Sequence, residues 1–204
     1  TGKDGPWFLA LDHPGVIEEL DIPHADMLGP GEARYAFGNL GQLYATLSRV
    51  YRLSASLPDA PLLEFQAKTK ALPKATEAER LTIQRIGQDI FRASLMDYWQ
   101  SRCPLTGITD PALLRASHII PWKDCDTDAE RLDVHNGLLL SALWDAAFDR
   151  GLVTLDDEGK PEFSPQLSEA ARAALHWQSP VKLTAKHHAR LVSHRNNVFL
   201  GSLS

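Results

Sequence analysis

The run from Leu113 to Gly151 constrains this chain more tightly than any other part of it. Two short apolar segments, Leu113–Ile120 and Gly137–Leu140, flank a polar stretch over Asp124–Asp133. Such runs, bounded by turn-forming residues, read as strands. A helical pattern over Ala142–Arg150 follows and stops at Gly151, where a C-terminal glycine belongs. Strand, loop, strand and helix within about forty residues make a compact ββα unit.

The rest of the chain reads as mainly helical, so the expected class is α+β. Thr76-Glu77-Ala78-Glu79 is a capping box, opening a helix whose face carries Ile83, Ile86, Ile90, Leu95 and Trp99 as far as about Arg102. Phe37, Leu40, Leu43, Tyr44, Leu47, Val50, Tyr51 and Leu53 recur at three- and four-residue steps, predicting a helix over 33–56. Pro58, Pro61 and Pro73 bracket what reads as a connecting stretch. Residues 1–33 are punctuated by proline and glycine, with Trp7–Leu11 either a small strand or a packed arm. Past the ββα unit, Val153–Leu155 and Phe163 suggest a hairpin, and helices are expected over about 165–176 and 184–198. We divide the chain into an accessory segment, 1–75, partly helical, and a domain over 76–204 with its ββα core at about 113–151.

Composition excludes several classes. Hydrophobic residues at 44% and charged residues at 23% of 204 are globular proportions rather than disordered ones. No window approaches 18 uninterrupted apolar residues, so no membrane partner is expected. Two cysteines, Cys103 and Cys125, do not make a disulfide framework, and a reduced, cytoplasmic setting is the expectation. The chain opens on Thr1 without a charged-then-apolar leader, so no signal peptide is expected, and the missing initiator Met suggests a fragment of a longer protein. A homo-oligomer is compatible with the sequence, which leaves that state open.

The net charge of -5 argues against a protein that coats nucleic acid indiscriminately. The surplus acid lies in residues 1–64, however, because 65–204 holds 17 bases and 17 acids. An acidic centre over 105–150 is flanked by basic segments, as suits a site gathering a cation and a polyanion, and equally suits solvated surfaces.

Within the ββα unit stand His118, Asn136, Asp145 and Asp149. The two aspartates are four apart on the expected helix, so both project from one face, where like charges repel unless a cation lies between them. Oxygen donors favour a hard ion, one Mg²⁺ or Mn²⁺. His118 has the right intrinsic pKa for a base at neutral pH, and the Asn136 amide can pin the loop and orient the imidazole. Each residue alone has an ordinary structural reading. His135, by strand alternation, is expected to face solvent. His187, Arg190, His194 and Arg195 are expected to form a basic surface on the last helix, and Trp122, which could stack on a base or cap the core, is expected to serve packing. Arg85 and Arg92 share a helix face, as a solvated stripe or as phosphate contacts, and Arg115 joins them as a candidate nucleic-acid contact.

Arg115-Ala116-Ser117-His118-Ile119-Ile120-Pro121-Trp122, His135-Asn136-Gly137-Leu138-Leu139-Leu140 and Phe148-Asp149-Arg150-Gly151 together resemble the HNH endonuclease family, in the branch with a Ser-His-Ile-x-Pro-Trp strand. The resemblance spans about residues 80–175 and takes in Arg85-x-Gly-Gln-x-x-x-Phe-Arg92 and Cys103-Pro104-Leu105-Thr106-Gly107. It implies a ββα-metal nuclease core that hydrolyses DNA with one divalent ion, with His118 as general base, Asn136 as its orienting residue and Asp145 and Asp149 as metal ligands. It is compatible with a place in a restriction or defence system. Two features depart from the pattern. Ser117, a poor ligand, stands where many members carry one. The paired Cys-x-x-Cys motifs are missing, so structural zinc is not expected. The competing reading is a DNA-recognition module that binds through the ββα element without cutting.

Overall fold

The chain divides into two compact units, Thr1–Leu57 and Pro58–Ser204, of which the computed structural model describes residues 5–201. Among the described residues it is an α+β protein, eight helices and three two-stranded antiparallel sheets. None of those helices is long and apolar enough to cross a membrane.

In the first unit, β1 (Trp7–Leu11) pairs antiparallel with β2 (Ala33–Phe37), Leu9 opposite Tyr35. Ala33, Tyr35 and Phe37 are buried at two-residue spacing, with Trp7, Leu9 and Leu11 against them. The helix expected from residue 33 therefore begins later. Ala33–Phe37 obeys a period of two, which a helix does not satisfy. The Asn39 side chain then accepts from the Gln42 amide at 2.9 Å and starts α2 (Leu40–Ser56). A short α1 (Pro14–Leu20), capped by His13, lies in the segment read as irregular.

In the second unit, α3 (Asp59–Thr69) forms where the prolines suggested a connection. Pro61 sits in its first turn, where no intrahelical N–H is lost. The helix packs on α4 (Glu77–Tyr98) and on α5 (Asp128–Leu132), within the unit Pro58–Ser204. The capping box of α4 is present: the Thr76 hydroxyl accepts from the Glu79 amide, and the Glu79 carboxylate accepts from the amides of Thr76 and Ala75 at 2.8 Å.

The core of this unit is the pair β3 (Leu114–His118) and β4 (Gly137–Ser141), in register Ser117–Leu138 and His118–Gly137. Every residue of β4 is buried, because α4 and α6 (Ala142–Asp149) both pack on the pair. That double cover explains the uninterrupted Leu138-Leu139-Leu140 in an antiparallel strand, where alternation is usual. A Cβ at Gly137 would lie 2.5 Å from Phe91 Cζ, so the glycine lets β4 start directly against α4. The hairpin of β5 (Val153–Leu155) and β6 (Pro161–Phe163), α7 (Glu169–Ala174) and α8 (Ala185–Asn197) complete the unit.

Candidate active site

His118 ends β3 and is held on three sides. Its ring stacks on Phe91 of α4 at 3.8 Å between centroids and meets Trp122 edge-to-face at 5.5 Å. Its Nε2 lies 2.9 Å from the Arg131 carbonyl. A carbonyl only accepts, so Nε2 carries the proton and Nδ1 keeps its lone pair. Burial pushes the imidazole down to about 4, against the opposing pull of the Arg131 carbonyl, and the ring is neutral at pH 7.

Asn136, fully buried, immediately precedes β4 and ties down the loop between the strands. Its Oδ1 accepts from the Ile120 amide at 2.8 Å, while Nδ2 donates to the Ile120 carbonyl at 3.2 Å and is shared with the Glu130 carbonyl and Cys125 Sγ. The carbonyl that holds His118 belongs to the residue after Glu130. Asn136 thus acts on His118 through the loop rather than by touching it. Arg131 braces the same loop, donating to the carbonyls of Trp122, at 3.1 Å, and of Cys125. Cys103 and Cys125 are both buried and free, and burial raises the Cys125 thiol.

Asp145 and Asp149 lie one turn apart on α6. Ser117, buried opposite Leu138, donates its hydroxyl to Asp149 Oδ1 at 3.0 Å. The residue that is a poor ligand therefore anchors a carboxylate. Both carboxyls are raised from the ordinary value, first by partial burial and, for Asp145, then by the charge of Asp149; Ser117 and Arg150 pull both back, and Arg115 also pulls Asp145. Neither carboxylate forms an ion pair with the described residues. His118 and Asp149 line one open cavity of about 600 Å³, together with Trp122, Lys123, Arg150 and His194, whereas Asp145 is not on its wall. Among the described residues no group of three or more His, Cys, Asp or Glu is placed to hold a metal ion. The carboxylate pair fits a Mg²⁺-like ion all the same. Such ions take one or two carboxylates and complete their shell with water and substrate phosphate, and the mutual repulsion of Asp145 and Asp149 is what a cation would relieve.

The arginine-rich motif on α4 turns out to be largely scaffolding. Phe91 is the platform under His118. Arg92 donates to the carbonyls of Leu114 and Pro111, each at 2.8 Å, and holds the start of β3. Arg115 is exposed but donates to the Ala112 and Leu114 carbonyls. Arg85 is exposed on α4.

Two expectations are overturned. His135 does not face solvent: it lies in a 3₁₀ turn before β4, not in the strand, so alternation does not apply. It is fully buried, with Nδ1 2.7 Å from Asp133 Oδ1, and Asp133 is also paired with Arg190. The last helix forms no basic surface of the kind expected. His187 and His194 are buried, Arg190 is spent on Asp133, and Arg195 bonds Asp157 and the Leu155 carbonyl, both at 2.7 Å. His194 instead belongs to the site's support. It stacks on Phe148 at 3.9 Å, accepts from the Thr154 hydroxyl at 3.0 Å and donates to the Phe148 carbonyl at 3.2 Å, gripping the turn that presents Asp149. Only the two histidines' apolar spacing from Leu191 hinted at burial.

An antiparallel strand pair and a helix, with a histidine ending the first strand, an asparagine before the second and two carboxylates on the helix, define a ββα nuclease core. A family model described as HNH endonuclease matches residues 103–156, so over this segment the chain is similar to that family. The match begins at Cys103, so the Arg85–Arg92 motif lies before it. No curated protein matches the chain.

Proposed function

We propose that this protein is a metal-dependent endonuclease that hydrolyses DNA phosphodiester bonds, with His118 as the general base. The observation that carries the reading is a neutral imidazole with its Nε2 proton committed to a main-chain carbonyl, sharing one cavity with the Asp149 carboxylate. His118 Nδ1 takes a proton from water, the resulting hydroxide attacks phosphorus, and the 3′ oxygen leaves. Asn136 is the positioning residue that keeps the loop, and through it the His118 ring, in place. Asp145 and Asp149 would hold one divalent cation, Mg²⁺ or Mn²⁺; such an ion, when bound, stabilises charge on the phosphate and the leaving oxygen. Arg85, Arg115, Arg150 and Lys123 are the cations from which local phosphate contacts are drawn.

The test is nicking of supercoiled plasmid in Mg²⁺ or Mn²⁺, with chelator and His118→Ala controls. Cleavage by the wild type alone, lost in chelator, is the expected result. An inert wild type in every divalent ion, or a His118→Ala variant that cuts equally well, overturns it. DNA binding without turnover and without metal would point instead to a recognition module.

A further inference from the structure

Beyond Trp122 lies a second cavity, of about 540 Å³, walled by Phe65, Ile83 and Trp122 and rimmed by Lys74, Arg80, Lys123 and Arg131. We propose that it holds an unstacked nucleotide of the strand being cut, its base against the apolar wall and its phosphate among Lys74, Arg80 and Lys123. The proposal rests on the nuclease reading above.

Several observations converge on it. The two cavities share Trp122 and Lys123, so a strand whose phosphate sits beside His118 carries its neighbouring nucleotide across the indole. The volume lies within the range of small-molecule sites, about 300–1,000 Å³. Four of the nine lining residues are cationic and one, Asp128, is acidic, and Asp128 is already paired with Arg131. The side chains of Lys74 and Lys123 have no partner among the described residues. Inorganic phosphate would need the cations but not the wall; a nucleotide needs both. The wall is also built to stay put. A Cβ at Gly87 would lie 2.6 Å from Trp122 Cη2, so the glycine lets the indole seat on α4, while the His118 ring meets it edge-to-face and the Arg131 guanidinium lies 5.9 Å from its ring centre. Drawing a base out of a duplex costs stacking, and costs least where the strand is already unpaired. Unpaired or single-stranded DNA is therefore the preferred occupant.

The test measures binding of a short fluorescein-labelled DNA single strand in chelator, so that nothing is cut. Wild type should bind it about tenfold more tightly than the same strand with an abasic site at its centre. Lys74→Ala/Arg80→Ala, at two exposed positions, should weaken binding and make its dependence on log salt shallower by about one to two charges. Equal affinity for the intact and abasic strands, or wild-type binding by the double variant, overturns the pocket. Plasmid nicking by the same wild-type protein reports the nuclease reading separately. A protein that cuts but shows neither effect loses the pocket alone, and one that shows both effects but cuts under no condition loses the nuclease reading alone.

Discussion

His118 works under two opposing demands. Stacking on Phe91 and the bond to Arg131 fix its tautomer and direction, but the same burial pushes its pKa to about 4. A base must be unprotonated to act, so activity rises with pH through the pKa and levels off above it. The Asp145 and Asp149 carboxyls, raised above 3.8, add to the same acid limb, since they too must be ionised to attract a cation. At saturating metal, kcat/KM for plasmid nicking should therefore be level from neutral pH down to well below 6.5, and fall only in the carboxylate range. A histidine in water would still be gaining activity at 6.5; a profile half-maximal there would show that His118 titrates as if exposed. Asn136 gives a second prediction at this scale. Asn136→Ala strands the Ile120 amide and frees the loop, costing about 1–3 kcal/mol of stability. Cleavage should fall further than stability accounts for, measured as nicking rate at a temperature where circular dichroism shows the variant fully folded. A variant destabilised by that amount but cutting at the wild-type rate would mean the loop does not position His118.

Among the elements, α4 does more for the site than its own residues suggest. Gly87 seats Trp122, Phe91 carries His118, and Arg92 ties the start of β3, so one helix face organises the base, the wall beside it and the strand that bears it. Gly87→Ala tests this. Alanine favours the helix by about 0.5–1 kcal/mol, but overpacking against a rigid indole costs about 1–3 kcal/mol. A net loss of about 1 kcal/mol in chemical denaturation is expected, with a shifted tryptophan emission and slower nicking. A more stable, fully active variant would show that Trp122 has room to move. The legibility of these elements follows their physics. The capping box, the β3–β4 pair and the four-residue step between Asp145 and Asp149 were readable because each is a local pattern with one structural solution. The strand at Ala33–Phe37 was hidden because its apolar residues also fit a helical stripe, and only pairing with β1 decides between them. The buried state of His135 and His194, and the use of Arg92 and Arg190 as internal clamps, depend on residues 57 and fewer positions away in the chain that no local spacing reveals.

At the scale of the whole chain, the burial of His118 and His194 governs how the fold first responds to acid. His118 and His194 are each pushed down to about 4, chiefly by burial. Between about pH 6.5 and pH 4 the unfolded chain holds protons on these rings that the folded chain does not, so stability rises with pH across that window. It is fully present above 6.5 and is lost as pH falls toward 4. Each ring contributes about 3–4 kcal/mol at most over that span, at about 1.36 kcal/mol per pH unit. Asp133, held below its ordinary value by His135 and Arg190 against the cost of burial, acts in the same direction at lower pH. Asp145 and Asp149 act in the opposite direction, because their raised pKa values make protonation favour the folded state. The histidine contribution begins at higher pH, so the first change on acidification from neutral is a loss. Thermal unfolding in metal-free buffer should show the midpoint falling between pH 7 and pH 5. His118→Gln/His194→Gln, which removes both titrating rings, should flatten that fall even though its midpoint at pH 7 is lower. A wild-type midpoint independent of pH across this window would mean that the two imidazoles are open to water.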